Sequence, residues 1–461
     1  MQKTWIFLAP KDRFFVFSLY FCATNPYIDM PMEQLLHYVW KHKLFATAPL
    51  KTTEGVDVEV IDVGLHNDNA GADFFNAKVK LGDTLWVGNV EIHDMASQWF
   101  EHGHHNDPRY NNVVLHVVGK ADMECLTQDG KQLPQMELAV PSGLAAHYGE
   151  LLAADKFPPC HHIIPQLQRL TLHSWLAALQ TERLESKTEA VIRRVERANG
   201  SWEDAFFITL ARNFGFGVNG DAFERWAANV PLRCVDHHRD NVFQIEALFM
   251  GQAGLLNDVA IPTRHREAAT TDGYFGLLKK EYAYLAHKFN LQPLDPTLWL
   301  FLRLRPQNFP HIRLSQLAVL HHSRRASLAN IVACDNLTQL RKALATQVSG
   351  YWQTHYVFGG ESKASDKALS TASRDVLILN TVAPVLFAYG RHRHNDALCD
   401  RAYQLLDELK AEDNHIVRMW KSCGLEVNNA GDTQALIQLK NEYCDRKNCL
   451  RCRIGYEYLR R

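Results

Sequence analysis

Residues 74–93 alternate apolar and polar side chains on both sides of a Gly82-Asp83 turn, a pattern that admits little other than a β-hairpin. In "FFNAKVKL", Phe75, Ala77, Val79 and Leu81 fall on one side, and Asn76, Lys78 and Lys80 on the other. After the turn, "TLWVGNVEIH" runs back. Side chains alternate faces along a strand, so Val90 and Ile92 are expected to face a core while Glu91 and His93 share the opposite side. Pairing across the turn sets the start of one strand beside the end of the other, which brings Asp73, Glu91 and His93 to one end of the hairpin. Two carboxylates about 4 Å apart repel by roughly 4 kcal/mol at an effective dielectric near 20. A divalent cation turns that cost into binding energy, polarises a phosphoryl oxygen and activates water.

The flanking sequence supplies the rest of a small α/β layer. "MEQLLHYVWKHKLF" (32–45) puts Met32, Leu35, Leu36, Val39 and Trp40 on one helical stripe. "VDVEVIDVG" (56–64) alternates as a strand, and "GLHNDNAGAD" reads as a loop. Beyond His93 come a polar helical stretch, a strongly β-forming strand "VVLHVVG" (113–119) and a further hairpin closing near residue 141. The expected order is helix, three strands, helix, strand. From about residue 160 the periodicity is helical almost throughout, as in "LQRLTLHSWLAALQTERL" and "NVFQIEALFMGQAGLL". The expectation is an α+β chain: an α/β domain over 32–155, then a large mostly α-helical region over 160–461, with "AADKFPPCHH" at the boundary.

With a formal net charge of −1 over 461 residues, bulk charge gives no argument for nucleic-acid or membrane binding, and any polyanion site must be local. The apolar run "FFVFSLYFCA" (14–23) is shorter than the roughly 20 residues that span a bilayer. It follows Lys11, Asp12 and Arg13, which admits a signal-peptide reading; the favoured reading is an over-extended start, with residues 1–31 a non-native or disordered extension and Met30 or Met32 the true start. The ten cysteines are mostly scattered, unlike a secreted disulfide framework. A cytoplasmic protein without a membrane partner is the expectation.

Helix, three strands, helix and strand, with Asp at one hairpin strand and an E-x-K-like tripeptide on the next, resembles the core of the PD-(D/E)xK nuclease superfamily. The matching segments are "GADF" (71–74) and "VEIH" (90–93). The resemblance covers roughly 32–120 and implies an αβββαβ restriction-endonuclease-like core. It also implies Asp73 and Glu91 as acids holding Mg²⁺ or Mn²⁺, and hydrolysis of nucleic acid. His93 takes the seat normally held by lysine. A neutral histidine supplies no fixed positive charge but can ligate metal or act as a base, and it shifts preference from Mg²⁺ towards Mn²⁺ or a softer ion. Glu33 resembles the helical acid that supplements the metal site in part of that superfamily. Ser97, Trp99 and Tyr110 match the S-x-D-W-x-x-x-x-K-x-x-x-Y style helix of some members. His116 is expected to be a satisfied, partly buried histidine, and His102 and His104 to lie in a solvated loop. The whole sequence is also similar to a bacterial family described only as a domain of unknown function, a likeness that brings no activity with it.

Cys444, Cys449 and Cys452 crowd into "YCDRKNCLRC" among basic residues, which favour thiolates, the metal-binding form. A structural Zn²⁺ or an iron–sulfur (4Fe-4S) cluster fits three such cysteines and needs a fourth ligand. Cys423 is the nearest candidate and Cys160 the distant one. The triplet layout is similar to that of some iron–sulfur exonucleases of the same superfamily. "GFGVNG" (215–220) matches a dinucleotide fingerprint by letter, but it follows a helical segment where that motif needs a strand. The reading that follows is a metal-dependent nuclease using Asp73, Glu91 and His93. The alternative is a catalytically inactive nucleic-acid-binding scaffold on the same fold.

Overall fold

The computed structural model describes residues 32–45, 49–67, 70–153, 157–271 and 273–461. The extension expected over 1–31 lies outside the described residues. The chain is mixed α+β, and it divides into two compact units, 1–160 with 449–461, and 161–448.

The first unit opens with α1 (Met32–Lys41), which buries Leu35, Leu36, Tyr38, Val39 and Trp40. Its Trp40 indole donates to the Val63 carbonyl at 3.1 Å. Seven strands follow: β1 (Leu50–Lys51), β2 (Asp57–Asp62), β3 (Leu65–His66), β4 (Phe74–Leu81), β5 (Thr84–Met95), β6 (Val113–Lys120) and β7 (Gln135–Glu137). They form one sheet in the order β1-β2-β4-β5-β6-β7, with β3 also pairing with β4. The meander β2-β4-β5 is antiparallel, whereas β5, β6 and β7 are mutually parallel. A short helix, α2 (Gln98–Glu101), lies in the crossover from β5 to β6.

Two features of the hairpin depart from simple alternation. Phe74 pairs with Val90 but Ala77 pairs with Gly88, so β4 carries one extra residue there. This is a β-bulge, and Asn76 takes it up with φ of 56°, a left-handed conformation that Asn tolerates better than most residues. The bulge shifts the phase of the strand. Phe74, Ala77 and Val79 enter the core with no exposed surface, in place of the expected Phe75, Ala77, Val79 and Leu81. The second departure is in β5, where Asn89, Val90, Glu91, Ile92 and His93 are all buried. Both faces of this stretch are covered because β5 is an interior strand with a parallel neighbour, the arrangement in which both faces of a sheet are usually packed. The hairpin expected to close near residue 141 reduces to a single bridge, Leu126 to Gln132, followed by β7.

The first unit's sheet is followed by α3 (Ser142–Ala153); the second unit is mostly helical, with one two-stranded sheet (His355–Val357 and Gly360–Glu361), and its first long helix is α4 (Arg169–Arg197). Next come α5 (Trp202–Phe214), α6 (Gly220–Asn229) and α7 (Leu232–Asp236). "GFGVNG" sits between helices, with Gly215 capping α5 and Gly220 opening α6. One apolar core runs through the unit, including Phe206, Trp226, Phe249, Trp352 and Leu386. Among the described residues, no helix is long and apolar enough to cross a membrane.

Gly88 is the tightest point of the hairpin that carries Glu91. A Cβ there would meet the Val114 side chain and stand 2.6 Å from the Asn112 carbonyl, which accepts the Asn89 N–H. Replacing Gly88 with alanine should cost about 1–3 kcal/mol, read as a lowered midpoint in urea unfolding.

Candidate metal and active site

Asp73 and Glu91 are joined by crossed main-chain hydrogen bonds. The Asp73 N–H donates to Glu91 Oε2 at 3.1 Å, and the Ile92 N–H donates to Asp73 Oδ2 at 2.9 Å. The start of β4 and the end of β5 therefore hold each other's carboxylate, and the two acids meet as the hairpin pattern requires. Glu91 is 4% exposed. Among the described residues no lysine or arginine pairs with either acid; their partners in charge are histidines. Burial, with each carboxylate facing like charge, raises the pKa of both.

The histidines come from four elements. His37 on α1 reaches Asp73 Oδ2 with its Nε2 at 3.4 Å. His104 Nε2 lies 3.1 Å from Glu91 Oε1, and His93 Nε2 lies 3.8 Å from the same oxygen. The ring nitrogens of His93, His102 and His104 fall within 4.8 Å of one another. His102 is exposed, but His104, expected in a solvated loop, is buried. Gly103 between them has φ of 76°, a turn that lets both neighbours approach Glu91 and His93. The signal was present in "HGHH", which follows β5 after the single short helix α2 and returns to Glu91. His37 was legible too: it lies four residues after Glu33 and so on the same helical face.

Glu33 is half-buried, and its pKa is raised first by burial and then by Asp94. Its charge is felt at both Asp73 and Glu91, while the α1 residue that touches the pair is His37. Trp99 is fully buried, and its indole donates to the Leu126 carbonyl at 2.9 Å. Tyr110 stacks on His104 with centroids 3.8 Å apart, which fixes that imidazole, and burial pushes its phenol up to about 12. Ser97 precedes α2, and its N–H donates to Asp122; its hydroxyl makes no cap. His116 is fully buried.

A row of hydrogen bonds sets the histidine tautomers. Gln135 Nε2 donates to the Met123 carbonyl at 3.0 Å, which orients its amide, and also faces His116 Nδ1 at 3.4 Å. His116 then carries its proton on Nε2 and donates it to His93 Nδ1 at 2.8 Å. His93 in turn carries its proton on Nε2, directed at His102 Nδ1, 3.1 Å away. Burial, reinforced by neighbouring histidines, lowers His93 to about 2 and His116 to about 3. A group held so far below neutrality is a weak proton acceptor. The lysine seat therefore holds a neutral N–H donor.

The donor chemistry fits a divalent cation. Glu91 is buried and Asp73 half-buried, neither pairs with a lysine or arginine among the described residues, and imidazole nitrogens flank both. Oxygen with nitrogen donors suits Mn²⁺, Fe²⁺ or Zn²⁺ better than Mg²⁺.

The cysteines of the C-terminal motif fall in both units. Cys444 ends a π-helical turn (Leu439–Cys444) and Cys423 caps the helix His415–Ser422, both in the second unit. Cys449 opens a 3₁₀ turn and Cys452, buried, caps the helix Arg453–Leu459, both counted with the first unit, as is Cys160.

Comparison with known proteins bears on this site through one match. The family described as "Protein of unknown function (DUF2851)" matches residues 33–415. The chain belongs to that family. The match takes in α1, the whole sheet and every acid and histidine of the cluster. No curated protein and no solved structure matches the chain.

The raised carboxylates give a pH signature. In the unfolded chain both acids ionise in the usual range; folded, they hold protons to higher pH, so their stabilisation is lost as pH rises through the raised values. The depressed histidines act oppositely, but only below their unfolded pKa of about 6.5. Above that pH the histidines no longer contribute; Lys187, lowered to about 7 by burial, acts in the opposite sense to the carboxylates, so the comparison with Glu91→Gln isolates their share. In the presence of chelator, wild-type thermal stability should fall between about pH 6.5 and 9, and Glu91→Gln should flatten that fall in a melting-temperature series.

Proposed function

We propose that the first unit is a metal-dependent nuclease core of the PD-(D/E)xK type, hydrolysing phosphodiester bonds of nucleic acid. The observation that carries this reading is the Asp73–Glu91 pair, half-buried at Asp73 and buried at Glu91, crossed by hydrogen bonds and without a lysine or arginine partner among the described residues. The order of elements supports it: a helix, an antiparallel meander, a crossover helix and a parallel strand, with the acids on adjacent strands.

Asp73 and Glu91 would hold the cation, with His104 as the first nitrogen donor and His102 beside it. When bound, the cation would polarise a phosphoryl oxygen and lower the pKa of water. His93 would give its Nε2 proton to His102 Nδ1 and so hold that ring beside the cation as a neutral N–H donor. His116 and Gln135 would keep that proton in place. Tyr110 and Trp99 would hold His104 and close the inner wall against solvent.

Cleavage of labelled single- and double-stranded DNA and RNA tests the reading. With Mn²⁺ the wild type should cut at least one of these substrates, and Asp73→Asn and Glu91→Gln should each lose about 100-fold or more, the equivalent of several kcal/mol of charge stabilisation. Equal cutting by wild type and both variants, or no cutting with Mn²⁺, Mg²⁺ or Zn²⁺, would overturn it.

A further inference from the structure

The second unit contains a cavity of about 1000 Å³ between the end of α4, the first turns of α5, α6, α7 and the helix Pro310–His322. This is the upper end of the range for small-molecule sites. Its floor is apolar: Phe206, Phe207, Leu210, Val230, Leu317 and Leu320 line it and are each at most 7% exposed. Its wall is charged, with six arginines and five carboxylates.

The charges do not cancel locally. Asp221 and Glu224 pair with Arg212 at 2.5 and 2.6 Å, and Glu224 also pairs with Arg194 at 2.9 Å. Asp236 pairs with Arg239 at 2.6 Å and His321 at 3.1 Å. Glu203 accepts the Leu328 N–H with both oxygens, at 3.1 and 3.2 Å. Asp204 is the remaining acid of the lining, which also holds Arg197, Arg225, Arg233 and Arg324; none of the four is within ion-pair distance of an acid among the described residues, though Arg225 acts on Asp221 from further off. All four are exposed. Arg324 is also held at φ of 59°, a left-handed conformation that non-glycine residues seldom adopt. Uncommitted guanidiniums above an apolar floor are an arrangement for a ligand with a multiply charged anionic end and an apolar body. Guanidinium matches phosphate oxygens in a two-point fork, and four of them exceed what one carboxylate would neutralise.

We propose that this cavity binds a phosphate-bearing ligand of nucleotide size, its flat apolar part on the Phe207–Leu317 floor and its phosphate among Arg197, Arg225, Arg233 and Arg324. The site is separate from the Asp73–Glu91 pair and does not depend on the reading given to that pair. The same chemistry is offered by a free nucleotide and by the phosphorylated end of a nucleic-acid strand.

Calorimetric titration of the full chain distinguishes these. The probes are AMP, ADP, adenosine, inorganic phosphate, and a tetranucleotide with and without a 5′-phosphate. AMP or ADP should bind at one per chain and adenosine should not. The double variant Arg225→Gln/Arg233→Gln should weaken binding by about tenfold or more, whereas Glu91→Gln should bind as wild type does. Tighter binding of the 5′-phosphorylated tetranucleotide than of AMP assigns the site to a strand end; equal or weaker binding assigns it to a free nucleotide. Melting of each variant without ligand shows that it is folded, and the single variants Arg197→Gln and Arg225→Gln are read if the double variant melts early. Absence of saturable binding by every phosphate probe, or wild-type affinity in the folded variants, would overturn the proposal.

Discussion

The crossed hydrogen bonds between Asp73 and Glu91 are the constraint on which the rest of the first unit depends. Each carboxylate is fixed by a main-chain N–H from the other's strand, so neither acid can move without breaking the β4–β5 register. The bulge at Asn76 follows from this requirement. Without the extra residue, pairing counted back from the turn would place Phe74 out of phase with Val90. With it, Phe74 enters the core and Asp73 reaches Glu91. The cost of burying two acids together is large on any estimate of charge burial. A fold that holds such a pair by main-chain geometry has the acids preorganised for a cation.

Much of this was legible in the residues. The Gly82-Asp83 turn, the helical stripe from Leu35 to Trp40 and the meeting of Asp73 with Glu91 all follow from short-range periodicity. What escaped was non-local or depended on one backbone conformation. Alternation assigned Phe75 to the core because no local pattern distinguishes a bulged strand from a regular one, and Asn76, a residue tolerant of left-handed φ, was the sole hint. Glu91 and His93 look like a solvent face until the parallel pairing with β6 and the crossover through Trp99 and Tyr110 bury them. His104 turns inward because of Gly103, a conformation that "HGHH" permits without requiring. The return of residues 449–461 to the first unit is likewise a long-range packing choice that sequence spacing does not encode.

The histidine row gives the site its particular character. In a lysine-bearing site a fixed charge would offset the acids. Here Gln135, His116 and His93 pass a neutral N–H along a buried line that ends at the exposed His102. On the proposed reading charge balance would fall to a cation, and nitrogen donors beside Glu91 would bias its identity towards ions softer than Mg²⁺. The two units thus present different chemistry: a pair of carboxylates with raised pKa where β4 meets β5 in the first, and arginines around an apolar-floored cavity in the second.

The most direct test of the account is the stoichiometry and coordination of a bound ion, independent of any substrate. Chelator-stripped protein should take up one Mn²⁺ or Zn²⁺ per chain in calorimetry. X-ray absorption of the Zn²⁺ form should show nitrogen as well as oxygen donors, at the usual Zn–N distance of about 2.0–2.1 Å. Glu91→Gln should abolish that uptake while the protein remains folded. Wild-type protein that binds no divalent ion, or that binds it equally well with Glu91→Gln, would contradict the claim that the Asp73–Glu91 pair is built to hold a metal.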